Sequence, residues 1–127
     1  MAKMYYENDS DMSIIQDSTI GVIGFGSQGH AHSLNLKDSG ANVKVGLYEG
    51  SKSWAKAEEQ GLGVGLVADV ARDSDIIMML IPDTTMAEVY EESVRQHLLP
   101  GKTLMFAHGF NIHYKTIVPP DNVDVSM

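Results

Sequence analysis

The stretch T-I-G-V-I-G-F-G-S-Q-G, residues 19–29, decides the fold. Its first part, Thr19–Gly24, is a short apolar run that ends in glycine, which is typical of a strand buried on both faces of a parallel sheet. Residues 27–38 then have helical character, and Ser39-Gly40 is a usual helix end. Between strand and helix, residues 24–29 spell G-x-G-x-x-G. This spacing in this context predicts a turn that binds a dinucleotide.

Each glycine of the motif has a separate expected role. Gly24 makes the tight turn, Gly26 lets the backbone approach a pyrophosphate, and Gly29 lets the helix lie close to the strand. The pyrophosphate would rest on unpaired N–H groups at the helix start, where the helix dipole favours negative charge. The alternative is a glycine-rich turn without a ligand, which the complete strand-turn-helix context disfavours.

The rest of the chain alternates strands with helices, which implies right-handed βαβ crossovers and a parallel sheet. We therefore predict a Rossmann-type, doubly wound α/β fold as a single domain over residues 1–127. Because residues 122–126 read as only the start of a sixth strand, we expect that domain to be incomplete at its C-terminal end. The further strands are predicted at 42–47, 61–67, 76–81, 103–106 and 122–126, and the further helices at 51–60 (capped by Ser51), 69–73 and 85–98.

The first 17 residues are polar and acidic, and we interpret them as a lead-in arm. The apolar residues of this arm could anchor it to the remainder of the domain. These possible anchors are Tyr5, Tyr6, Met12, Ile14 and Ile15.

Composition excludes several classes of function. The 127 residues carry a formal net charge of −8, which disfavours nucleic acid and anionic membranes as partners. The chain has no cysteine, so disulfides, thiolate metal sites and a cysteine nucleophile are impossible. The start has no signal-peptide pattern, and the longest apolar run, residues 76–82, is too short to span a bilayer. We expect a cytoplasmic protein.

The end of the second predicted strand bears on cofactor choice. Sites selective for NAD usually place an acid there to hold the ribose 2′-hydroxyl, but Gly46 occupies the expected position and Glu49 comes later. Ser51, Lys52 and Ser53 follow at a helix start, where two hydroxyls, a cation and free N–H groups suit a 2′-phosphate. The pattern favours NADP(H) over NAD(H), although a solvated role is the better interpretation for Lys52.

Several longer segments resemble ketol-acid reductoisomerase, and the resemblance runs in order from about Met4 to Met127. The strings S-Q-G-H-A-H and A-H-G-F-N-I-H are far more specific than the glycine motif. The matching segments are Tyr5-Tyr6 and residues 24–32, 50–54, 106–113 and 118–125.

The resemblance implies an enzyme of branched-chain amino-acid biosynthesis that converts an acetohydroxy acid to a dihydroxy acid. A Mg²⁺-dependent alkyl migration is followed by reduction with NADPH. The family's Mg²⁺ carboxylates lie in a later helical domain, so we expect no metal ligand, no turnover from these residues alone, and homo-oligomers formed through that later domain. By resemblance, the cofactor contacts fall on Phe25, Gly26, Ser27, Gln28, Ser51, Ser53, Asp83, Thr84, Thr85 and Met86, and the active-site histidine on His108.

One position departs from the family pattern. Tyr48 stands where the family commonly has arginine, which would form a fork to the 2′-phosphate and stack on adenine. Tyrosine can stack but brings no charge. The departure admits relaxed or NAD-leaning cofactor use, so both alternatives stay open.

His108 follows the fifth predicted strand, at the edge where open α/β sheets bind ligands. A neutral imidazole there could donate to a substrate oxygen or relay a proton. The alternative is that it only orders the loop of residues 108–110.

Two other functions remain possible at this point. One is another NADP-dependent reductase of the β-hydroxyacid dehydrogenase type, whose second domain should supply a catalytic lysine. The other is a dinucleotide-binding module without chemistry, which the unfinished sixth strand disfavours.

Overall fold

The carboxyl ends of six parallel strands form the edge at which the predicted motif lies. The structure is a computed structural model that describes all 127 residues, and the strands pair in the order β3-β2-β1-β4-β5-β6. The order reverses between β1 and β4, which creates a crevice at this edge. The predicted doubly wound α/β fold is therefore confirmed. The strands are β1 (Thr19–Ile23), β2 (Asn42–Leu47), β3 (Gly63–Leu66), β4 (Ile76–Met79), β5 (Thr103–Phe106) and β6 (Asp124–Ser126).

Helices connect the strands and cover both faces of the sheet. The predicted helix at 85–98 begins two residues early, at Asp83, and changes type along its length: a π-helical segment, Tyr90–Val94, and a 3-10 turn, Arg95–His97, follow its α-helical part. No helix combines the length and the apolar character that crossing a bilayer requires. The α-helices are α1 (Met12–Gln16), α2 (Ser27–Asp38), α3 (Ser53–Glu59), α4 (Val67–Asp73), α5 (Asp83–Val89) and α6 (Phe110–His113), and a further 3-10 turn is Glu7–Asp9.

The core consists of two apolar clusters, one on each face of the sheet. Along β1, Val22 belongs to the cluster under α2 and α3, whereas its neighbour Ile23 belongs to the cluster under α4 and α5. Both side chains are fully buried. This confirms that β1 is covered on both faces, as its unbroken apolar run predicted. At Gly21, a Cβ would lie 2.4 Å from Ser74 Oγ, so close packing on α4 requires glycine there.

Two local predictions were wrong. Helix α4 begins at Val67, directly after β3, although the sequence predicted a strand through that residue and a helix from Asp69. In the lead-in arm, only Ile15 packs against the core, on the cluster under α2 and α3. The other possible anchors are exposed: Met12 and Ile14 belong to the five-residue helix α1, which buries no residue, and Tyr5 and Tyr6 precede it.

Candidate functional site

The turn between β1 and α2 needs two of its three motif glycines for its own geometry. Gly24 has φ of +104°, and a Cβ there would lie 2.8 Å from the carbonyl oxygen of Leu80. At Gly29, a Cβ would lie 2.4 Å from the carbonyl oxygen of Gly24. Larger residues would push α2 away from the turn. Gly24 and Gly29 are therefore explained by the fold itself, as the sequence argument expected.

Gly26 differs, because nothing in the protein lies within 4 Å of the place where its Cβ would be. Its backbone, at φ −74° and ψ −163°, is open to any residue. The N–H groups of Gly26, Ser27 and Gln28 donate to no protein acceptor, and the first bond of α2 runs from the His30 N–H to the Gly26 carbonyl, at 2.8 Å. This arrangement fits a diphosphate, which needs close backbone approach and free donors.

Two adjoining cavities extend from this turn along the carboxyl edge of the sheet. One, of about 260 Å³, lies toward β2, and the other, of about 400 Å³, lies toward β5. They share Gly26 and residues 80–82 as walls. The turn between β1 and α2 thus lies between two compartments of one cleft, as expected for a ligand with a group on each side of a diphosphate.

The compartment toward β2 contains Tyr48, Ser51 and Ser53. Tyr48 is 69% exposed. Ser51 Oγ accepts the Ser53 N–H at 3.2 Å, but α3 begins at Ser53 and its N-cap is Lys52, not Ser51 as predicted. Lys52 is exposed and is not part of the lining. Phe25 is buried and lines this compartment, whereas Gly29 is buried behind the turn and lines neither one.

Tyr48, unlike Gly46, is a position at the end of β2 where a side chain can border the cleft, which corrects the sequence interpretation of Gly46. Both residues lie at the wall of the cleft. At Gly46, however, a Cβ would lie 2.8 Å from Ile23 Cδ1 and 3.3 Å from the Cα of Val67. A side chain at 46 would therefore enter the core under α4, so the absence of an acid there says nothing about cofactor choice.

The compartment toward β5 is bordered by the first turn of α5 and by the loop after β5. Asp83 and Met86 line it, whereas Thr84 and Thr85 are exposed and do not. Residues three apart share a helix face, which explains why only the first and last of these four residues line the cleft. The Thr85 hydroxyl instead donates to the Pro82 carbonyl at 3.2 Å, within its own turn.

His108 borders the same compartment from the opposite side. It is exposed, and its Nδ1 accepts the Phe110 N–H at 3.2 Å. In the neutral imidazole, the proton must then sit on Nε2, which is left as a free donor. The loop-ordering role and the cleft-facing role, weighed as alternatives from the sequence, are both compatible with this geometry.

Asn111 is a residue that the sequence argument missed. Only 1% of it is exposed, and its side chain hydrogen-bonds to both α5 and Thr116. A polar residue between Phe110 and Ile112 was the available signal, but an asparagine in a loop is usually exposed.

The chain contains no group of three or more His, Cys, Asp and Glu side chains that could hold a metal ion. Mg²⁺ prefers oxygen ligands and binds through carboxylates. Asp83 is the only carboxylate that lines the cleft on either side of the turn. The residues present therefore do not fit a Mg²⁺ site.

Comparison with known proteins identifies the family. Residues 14–127 match the family model described as acetohydroxy acid isomeroreductase, NADPH-binding domain. The chain belongs to this family. A solved NADH-preferring ketol-acid reductoisomerase from an uncultured archean is 43% identical and superimposes with a TM-score of 0.90. That match covers 98% of this chain but only 39% of the archean protein. The resemblance to ketol-acid reductoisomerase inferred from the sequence is thereby confirmed.

More distant solved structures share the fold alone. A semialdehyde dehydrogenase NAD-binding protein from Cupriavidus necator, in complex with calcium and NAD, is 17% identical with a TM-score of 0.73, and the match covers 85% of this chain and 39% of that one. The Plasmodium falciparum pyrroline carboxylate reductase with NADP bound is 18% identical with a TM-score of 0.68, over 86% of this chain and 41% of that one.

Proposed function

We propose that this chain is the dinucleotide-binding part of a ketol-acid reductoisomerase. That enzyme converts acetohydroxy acids to dihydroxy acids by an alkyl migration followed by a reduction. The observation that carries the proposal is the turn at Gly26, where open space and three free N–H groups adjoin a cleft that ends beside His108. The family match over residues 14–127 supports it further.

In this proposal the two compartments hold the two ends of NADP(H). The amides of Gly26, Ser27 and Gln28 bind the diphosphate, and the helix dipole of α2 adds to the attraction. The hydroxyls of Ser51 and Ser53 receive the 2′-phosphate, and Tyr48 stacks on adenine. When bound, reduced nicotinamide supplies a hydride to the substrate.

Preference for NADP(H) over NAD(H) should be small. The β2 compartment offers hydroxyls and an aromatic ring to a 2′-phosphate, but no guanidinium fork lines it. The family description names NADPH, whereas the archean relative prefers NADH. We favour NADP(H), because no acidic side chain lines the β2 compartment to hold a free ribose 2′-hydroxyl.

His108 is the residue of this chain that we assign to the reacting substrate. Its Nε2–H would donate to a substrate oxygen in the compartment toward β5, while the Phe110 N–H holds the ring through Nδ1. In a complete enzyme, His108→Gln should lower turnover by about a hundredfold or more, as is typical when a general acid–base group is lost. Near-normal turnover would remove His108 from the mechanism.

The remaining functional assignments stay proposals. In this proposal, the Mg²⁺ that the alkyl migration requires would be held by other residues of the complete enzyme, because these 127 residues offer no ligand set for it. The acetohydroxy acid substrate, assembly into homo-oligomers and a cytoplasmic location are predictions from the sequence. Avoidance of nucleic acid and membranes is likewise a prediction from the net charge of −8.

The binding proposal is tested by titrating the chain with NADPH and with NADH at one fixed salt concentration. We expect both to bind, NADPH more tightly. Ser53→Ala should weaken NADPH and leave NADH unchanged, and Ser93→Ala, on the π-helical segment away from the cleft, is the matched control. Tighter binding of NADH would contradict the cofactor preference, and binding of neither would contradict the proposed function.

A further inference from the structure

A buried amide joins the two walls of the compartment toward β5. The Asn111 side chain is 1% exposed and lies in the short helix α6. Its Nδ2 donates to the Asp83 carbonyl at 3.3 Å and to Met86 Sδ at 3.4 Å. Its Oδ1 accepts the Thr116 hydroxyl at 2.6 Å. Asn111 thus connects the start of α5 with the segment that follows α6.

The groups on either side of this amide are the ones that border the cleft. Asp83 and Met86 form the wall at the start of α5. On the other side, α6 begins at Phe110, whose N–H holds the His108 ring, and His108 borders the same compartment. The separation between the α5 wall and the histidine therefore depends on how α6 is attached to α5.

The chemistry of the partners fixes the orientation of the amide. The Asp83 carbonyl only accepts, and the Met86 sulfur is a weak acceptor, so the NH₂ group must face α5. The oxygen then faces Thr116, whose hydroxyl can donate. The Asn111 backbone carbonyl also accepts the Ile117 N–H at 3.1 Å, which joins the segment to the buried core. A buried polar group satisfied on both sides holds one geometry, because breaking either bond leaves an unpaired group.

We propose that Asn111 is a positioning residue that sets the width of the compartment toward β5, and with it the placement of the nicotinamide end of the cofactor against His108. The inference rests on the proposed function and goes beyond it. It assigns no substrate contact to Asn111. The compartment toward β2 has no bond to Asn111, so the adenosine end of the cofactor should be independent of it.

This independence gives the test. The chain is titrated with NADPH and with adenosine 2′,5′-bisphosphate, which lacks the nicotinamide end. Asn111→Leu keeps a similar size, adds no charge and removes every side-chain hydrogen bond. It should weaken NADPH by about tenfold, equivalent to about 1.4 kcal/mol, and leave the bisphosphate within about twofold. Asn122→Leu, at an exposed asparagine before β6 with no side-chain hydrogen bond, is the matched control and should change neither.

A second pair of variants keeps the test informative if Asn111→Leu does not fold. Thr116 is exposed, so its substitution is tolerated more readily. Thr116→Val removes the donor to Asn111 Oδ1 and should weaken NADPH, by about threefold to fivefold, without affecting the bisphosphate. Thr116→Ser keeps the hydroxyl and should restore NADPH binding.

The outcomes separate the two proposals. If the unsubstituted chain binds neither ligand, the proposed function fails and the role of Asn111 fails with it. If the unsubstituted chain binds both but the Asn111 and Thr116 variants bind NADPH normally, only the positioning role is wrong. Equal losses of both ligands in these variants would also overturn it, because the effect would then be general disruption of the fold.

Discussion

The two edges of the sheet are built in opposite ways. At the amino edge, Asp75 pairs the backbone of both neighbouring strands: its side-chain Oδ2 accepts the Thr19 N–H at 2.8 Å, and its backbone carbonyl accepts the Thr103 N–H at 2.9 Å. Lys102 Nζ donates to the carbonyls of Ala71 and Arg72, at 3.0 and 2.9 Å, where α4 ends. The starts of β1, β4 and β5 are thereby joined to each other and to a helix end.

At the carboxyl edge, groups that could be paired are left free. The N–H groups of residues 26–28 have no protein acceptor, Tyr48 is exposed, and His108 is exposed with one ring nitrogen available. The long-range side-chain bond at this edge, from Asn111 Nδ2 to the Asp83 carbonyl, comes from a residue that does not line the cleft. The difference teaches that the backbone hydrogen-bonding groups are paired at the amino edge, whereas donors are left free for a ligand at the carboxyl edge.

The largest effect on the free energy of unfolding is expected at Gly29, where α2 packs tightly on the turn at the carboxyl edge. Gly29→Ala would place a Cβ 2.4 Å from the Gly24 carbonyl oxygen. We expect the free energy of unfolding to fall by about 2–3 kcal/mol, because a backbone atom must move. Urea unfolding measures it. Gly63→Ala is the control, since its Cβ would make an ordinary contact at 3.7 Å with Lys44. Equal stability of the two variants would show that α2 can shift freely.

At the amino edge, Lys102→Met tests the hydrogen bonds that Lys102 Nζ donates to the carbonyls at the end of α4. The variant keeps the apolar stem but leaves the Ala71 and Arg72 carbonyls without their donor. We expect a loss of about 1–2 kcal/mol with no change in NADPH affinity. Lys56→Met, at an exposed lysine of α3, should change neither quantity. A change in NADPH affinity without a loss of stability would show that the amino edge contributes to ligand binding, contrary to this expectation.

Tyr90→Phe tests a buried hydroxyl that takes part neither in the bonds of the amino edge nor in the cleft at the carboxyl edge. The Tyr90 hydroxyl is buried without a hydrogen-bond partner. Removing it should raise stability by about 1 kcal/mol. Burial also raises the pKa of Tyr90 above 10.0. Above pH 10 the unfolded chain therefore releases this proton before the folded chain does, so the native protein loses stability as pH rises, and Tyr90→Phe should lack that loss. Identical alkaline unfolding curves would contradict the assignment.

Much of the fold could be predicted because its signals are local. The apolar run of β1, the glycine spacing after it and the alternation of strands and helices each depend on neighbours in the chain. The ends of α2, β2 and β5 were predicted to the residue. Where a helix follows a strand without a turn residue between them, as at Val67, no local signal marks the boundary, and the prediction failed.

The site was predictable in outline but not in detail. The turn at residues 24–29 and the position of His108 after β5 follow from sequence order and strand topology. Thr84 and Thr85 face away from the cleft because of how α5 is rotated about its axis. Position 46 faces the core because α4 packs over it. The role of Asn111 depends on contacts across 28 and 25 residues, which no local pattern encodes.

We infer that a ligand, and not the fold, requires glycine at position 26. Gly26→Ala meets no protein atom within 4 Å and adopts an allowed backbone. The lower chain entropy of alanine is offset by its weaker preference for the N-cap position, so the stability of the free protein should change by no more than about 0.5 kcal/mol. Calorimetric titration of this variant with NADPH is the most direct test. We predict affinity at least about tenfold weaker than in the unsubstituted chain, because the added methyl group occupies the diphosphate's place. Unchanged affinity in the folded variant would contradict the account.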